Sequence, residues 1–172
     1  MKKLTFIFRA VLLALVSFVS LFSLVGCEPD SESEDPKEEV LYQFSYVLGN
    51  AGTNDLDFID LSVTYLDADG KKQTEKVSAL PWKKTFSGLK AGFRMELEKT
   101  IVLKKDIDLS KIEGETVKVS NLNLVCSVRG SDNSFQNIGS ASAMTIRKEK
   151  AVDHMNNVIA TNKPFVFVHQ AE

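Results

Sequence analysis

The chain has 172 residues and a formal net charge of −2, with 44% hydrophobic and 26% charged residues. That is too apolar for a disordered chain and too close to neutral for a nucleic-acid binder, which needs clustered positive charge. Two cysteines exclude a disulfide framework.

The first 26 residues read as a targeting segment. Lys2, Lys3 and Arg9 form a positive start, and "AVLLALVSFVSLFSLV" (10–25) is a sixteen-residue apolar run without charge. A bilayer-spanning helix wants about 20 apolar residues and a signal core needs fewer, so length alone leaves an uncleaved anchor open. Leu24, Val25, Gly26 and Cys27 resemble the bacterial lipobox, in which small residues precede a cysteine that is lipidated and becomes the new N-terminus. The resemblance implies a lipoprotein with Cys27 as the acylated residue. A single acyl chain holds a protein only marginally, and the two or three chains that such processing adds exceed what stable attachment needs.

Residues 27–39 read as the lipidated cysteine and a tether. "EPDSESEDPKEE" (28–39) carries seven acids against Lys37 and has no apolar residue beyond its prolines, so it cannot offset the entropy of ordering. Its net charge is −6, which leaves residues 40–172 at +1. Such a run serves as a solvated spacer. It also resembles the signal that sends lipoproteins of the Bacteroidetes to the cell surface. The expected location is therefore the cell envelope, as an outer-membrane lipoprotein, with the periplasmic and surface-facing leaflets both open.

Residues 40–172 are expected to form one domain, mostly of period two. Tyr42, Phe44, Tyr46 and Leu48 share one face of a first strand, and Ile59, Leu61, Val63 and Tyr65 share one face of a second. The Asp-Gly pair in "DADGKKQ" predicts a hairpin to a strand over 72–79. Pro81 breaks the pattern and "WKKTF" resumes it. Phe93, Met95, Leu97, Ile101 and Leu103 mark the next strand. Over 117–128 the parity slips, from Val117 and Val119 to Leu122, Leu124, Cys126 and Val128, which predicts a bulge near Ser120 and Asn121. A strand over 135–146 follows. Ala151, Val152, Met155, Val158 and Ile159 recur at helical spacing, and "FVFVH" closes the chain as a short strand. The expected fold is all-β: an antiparallel immunoglobulin-like β-sandwich of about seven or eight strands with one short C-terminal helix.

Two pieces carry a family resemblance. "VTYLDADGKKQTEKVSALPWKKTF" (63–86) resembles the strand–turn–strand and Leu-Pro-Trp element of the MmpS-type transport accessory proteins. "VCSVRGSDNSFQNIGSASAMT" (125–145) looks like that family's closing hairpin, with Cys126 where a cysteine often stands. The resemblance implies an immunoglobulin-like sandwich outside a membrane that supports a lipid or siderophore exporter.

Reactive motifs are scarce. The two histidines, His154 and His169, belong to no HExxH, and there is no Cys-x-x-Cys or GxSxG. His154 falls just off the apolar stripe of its helix and is expected in solvent. Asp67 and Asp69 fit the turn better than a calcium loop, which wants six to eight oxygens. "GLKAG" (88–92) is a loop, Glu96 and Glu98 lie on a polar strand face, and Trp82 either anchors a ligand or seals the sandwich. No catalytic residue, metal ligand or cofactor is assigned. The expected function is a non-catalytic binding or accessory module, held to the membrane by its lipid and facing an envelope protein or a glycan. An exporter subunit and a surface glycan-binding lipoprotein are the alternatives. Cys126, on the core face beside Leu124 and Val128, is expected to be a buried, reduced thiol.

Overall fold

A computed structural model of the chain describes residues 38–170. The lipobox (Leu24, Val25, Gly26, Cys27), the signal segment and the tether up to residue 37 lie outside the described residues. Among those described, no helix is long and apolar enough to cross a membrane.

Ten strands form in this region, β1 (Tyr42–Leu48), β2 (Ile59–Leu66), β3 (Lys72–Lys76), β4 (Trp82–Leu89), β5 (Arg94–Leu103), β6 (Thr116–Ser120), β7 (Leu124–Gly130), β8 (Phe135–Ile138), β9 (Ala143–Arg147) and β10 (Phe165–Val168). Two four-stranded antiparallel sheets, ordered β4-β1-β7-β8 and β10-β5-β2-β3, pack as a sandwich, and β6 pairs with β9. The alternating apolar residues explain the layers. Phe44, Tyr46 and Leu48 of β1 are buried with Leu61, Val63 and Tyr65 of β2 and Met95 and Leu97 of β5. Across the interface the Phe44 and Phe167 rings lie 5.5 Å apart, and the Tyr46 hydroxyl donates to the Glu96 carbonyl at 3.0 Å. That bond satisfies a phenol that burial would otherwise penalise.

The Asp-Gly turn forms as expected. Asp67 Oδ1 accepts the backbone N–H groups of Asp69 and Lys71 at 3.0 and 2.9 Å, and Gly70 takes the positive φ (+74°) that the turn demands. A four-residue helix, α1 (Asp55–Phe58), precedes β2. It is too short for periodicity to announce. The C-terminal helix, α2 (Ala151–Thr161), buries Ala151, Met155 and Val158 against the sandwich, in agreement with the helical spacing.

Two expectations are corrected. Residues 117–128 are two strands and not one bulged strand: β6 pairs with β9, whereas β7 pairs with β1 and β8. The chain leaves one pairing at Ser120, turns at Leu122 (φ +49°) and enters the other sheet. A strand that ends and restarts shifts parity just as a bulge does, so alternation cannot separate the two. Leu122 holds a conformation that costs a non-glycine residue roughly 1–2 kcal/mol, and its side chain is fully buried, which offsets that cost. Likewise 135–146 is two strands, β8 and β9, split at Gly139. There φ is +84°, and a Cβ would stand 2.5 Å from the Leu124 carbonyl oxygen. These two splits raise the strand number to ten. Cys126 lies on the inner face of β7, opposite Tyr46, at 1% exposure and without a disulfide partner among the described residues. Burial pushes its thiol up to about 12.

Candidate functional site: the crossover cleft

Along β5, odd-numbered residues face the core, and Lys99 occupies the place between Leu97 and Ile101 where an apolar residue would continue the pattern. Its side chain is half-buried, and Nζ donates to the Leu122 carbonyl at 3.0 Å. None of the ion pairs among the described residues involves it. Desolvation holds its pKa below the usual lysine value, as expected for an ammonium drawn from water without a counter-charge.

The carbonyl that receives Lys99 belongs to the β6–β7 crossover, and a buried carboxylate fixes that crossover. Asp55 is fully buried. Its Oδ1 accepts Ser120 N–H at 2.8 Å, and its Oδ2 accepts the Ser120 hydroxyl at 2.6 Å and the Thr53 hydroxyl at 2.9 Å. Ser120 Oγ in turn accepts Leu122 N–H at 3.1 Å. The Ser120 carbonyl lies 3.0 Å from His154 Nε2. A carbonyl can only accept, so Nε2 carries the hydrogen of this bond. His154 is therefore half-buried and anchored, which corrects the expectation that it is solvated.

Helical spacing completes the site. His154, Asn157 and Thr161 recur at i, i+3 and i+7 beside the buried stripe of α2, so they face the crossover together. With Lys99, Asn121, Asn123 and Asn162 they line a cleft of about 280 Å³. Asn162 Nδ2 donates to the Lys99 carbonyl at 2.8 Å, which settles the amide's orientation. Its Oδ1 is buried and has no hydrogen-bond partner among the described residues. Among the described residues the lining thus contains a cation, an imidazole and four amides but no carboxylate and no Phe, Tyr or Trp ring. Each amide both donates and accepts, so the cleft can recognise a ligand with negative charge and hydroxyl groups.

Other residues singled out from sequence fall elsewhere. Trp82 belongs to a clasp where β3 and β4, the edge strands of the two sheets, meet. Its indole N–H donates to Glu75 Oε2 at 3.2 Å, and its ring lies 5.5 Å from that of Tyr65. Lys84 Nζ donates to Glu75 Oε1 at 2.6 Å and stands 5.3 Å from the Tyr65 ring centroid. The Tyr65 hydroxyl donates to the same carboxylate oxygen. Trp82 therefore has its polar atom committed and seals the sandwich. Glu96 is paired with Arg94 at 2.6 Å, and Glu98 is exposed on the same outer face. His169 is packed between Tyr42 and Phe93, with ring centroids 4.1 and 5.0 Å away.

A wider cleft of about 500 Å³ is lined by Asn54, Asp57, Lys104, Asp106 and Asp108 among others. Several of its polar groups are already bonded: Asn54 to Asp57 at 2.9 Å, Lys104 to the Leu56 carbonyl at 2.6 Å, and Asp108 to Ser110 at 2.6 Å. Among the described residues no three His, Cys, Asp or Glu side chains converge as a metal site would require.

Sequence reasoning missed Lys99, Asp55, Ser120 and Asn162. Lys99 alone left a signal, a charge at an inward-facing position of a strand. The chain matches no family model and no curated protein.

Proposed function

We propose that the protein is a lipid-anchored envelope module that binds a ligand without transforming it, and that the crossover cleft is its ligand site. The observation that carries this reading is Lys99, a half-buried ammonium with one carbonyl partner, set in a cleft of amides that includes a buried, unpartnered oxygen. A cation desolvated in this way is a cost to the fold that a bound ligand can offset. The lining lacks the linked nucleophile, base and orienting group that covalent or acid–base catalysis needs. The anchor rests on Leu24, Val25, Gly26 and Cys27, and an outer-membrane location rests on the acidic run after them.

Labelling cells with a radioactive fatty acid tests the anchor. The parent chain incorporates label and fractionates with membranes, and Cys27→Ser loses both. Equal label on Cys27→Ser and the parent would refute the anchor and the envelope role built on it.

A further inference from the structure

We infer that the cleft takes a polyhydroxylated anion of about one sugar unit, a hexuronate or a sugar phosphate. This rests on the reading of the crossover cleft as a ligand site and adds the class of ligand. Three features define that class. Among the described residues Lys99 is the one side chain with a fixed formal charge in the lining, and no carboxylate there offsets it. A cationic ligand would be repelled, and a neutral one would leave the desolvated ammonium without a counter-charge, so the complementary group is an oxyanion.

The second feature is the set of asparagines. Asn121, Asn123 and Asn157 line the cleft, and each amide both donates and accepts, which suits several adjacent hydroxyls. A carboxylate or phosphate that is fully ionised offers acceptors alone and would use only half of that set.

Third, the cleft is small. At about 280 Å³ it lies at the lower edge of the range for small-molecule sites, enough for one ring and its charged substituent. Among the described residues no Phe, Tyr or Trp ring lines it, so charge and hydrogen bonding carry the affinity.

Calorimetry on the mature chain in detergent tests this with four probes: D-glucuronate, glucose 6-phosphate, D-glucose and inorganic phosphate. Glucuronate or glucose 6-phosphate should bind at least tenfold more tightly than glucose or phosphate, and which of the two binds better separates the carboxylate source from the phosphate source. Lys99→Gln should weaken that binding at least tenfold, and Asn123→Ala at least fivefold. Asn157→Ala, at an exposed position where folding is not at stake, should weaken it about threefold. Glucose binding as tightly as glucuronate, or phosphate as tightly as glucose 6-phosphate, would overturn the inference, as would silence with all four. A second panel of neutral glycosides and amines then judges the underlying reading. Binding there that Asn123→Ala abolishes keeps the cleft as a site and rejects the anion. Silence in both panels rejects the site as well.

Discussion

Two lysines of this sandwich have opposite surroundings. Lys84, in the clasp, is bonded to Glu75, which raises its pKa, and it lies over the Tyr65 ring. Lys99, in the crossover cleft, is more deeply set and bonded to a carbonyl alone, and burial lowers its pKa. In the clasp every polar group has a partner, and the result is a bridge between the edge strands of the two sheets. In the cleft Lys99 has a carbonyl as its hydrogen-bond partner, and Asn162 Oδ1 is buried without one, among the described residues. A satisfied polar network holds a structure together; one that is short of an anion and a donor is prepared for something else.

The largest expected effect falls on the support of the cleft. Asp55→Ala leaves the Ser120 N–H and hydroxyl buried without acceptors, and should cost about 3 kcal/mol in urea unfolding. A loss below about 1 kcal/mol would mean that the crossover holds its shape without the carboxylate, and the cleft would no longer count as a built site.

In the clasp, Glu75→Gln should cost about 1 kcal/mol at neutral pH, because the pair is partly exposed and screened. The hydrogen bonds from Lys84 and then Tyr65 hold the Glu75 carboxyl below its ordinary value of 4.5. Its stabilisation is therefore complete above 4.5 and fades as pH falls through the lowered value. Unfolding free energies of parent and Glu75→Gln should converge at the acid end. Parallel curves down to that limit would show that Glu75 titrates alike in the folded and unfolded chains.

The smallest effect has the opposite sign. The folded chain gives up the Lys99 proton more readily than the unfolded one, so this site adds stability as pH rises from the lowered pKa toward 10.5. Lys99→Met should lack that alkaline rise and be the more stable at neutral pH, by less than about 1 kcal/mol. A destabilised Lys99→Met would mean that the bond to the Leu122 carbonyl outweighs desolvation, and the contrast between the two lysines would fail.

What the sequence revealed depended on the range of the interaction. The alternation in "IDLSVTYL" and the Asp-Gly turn are local, and both formed as expected. So did the helix built on Ala151, Met155 and Val158. The break between β6 and β7 was visible as a parity slip, but its meaning was not, because deciding between a bulge and a crossover requires knowing the partner strands. The cleft was harder to see. Asp55 and Ser120 are 65 residues apart, and Lys99 and Asn162 are 63 apart, so no window of sequence contains either pair. The anchoring of His154 was equally hidden, because its position off the apolar stripe says nothing of a carbonyl 34 residues away.

The strand that begins the sandwich has a mechanical consequence. β1 lies inside its sheet, with β4 on one side over Tyr42 to Leu48 and β7 on the other over the same residues. A pull at Tyr42 along the axis of this strand would load its bonds to both neighbours. Such a load is shared by the rungs on both flanks at once, in shear, and does not open them one after another as it would at a hairpin end. A module held by the proposed N-terminal anchor would thus meet such a force with a strand that is paired on both sides.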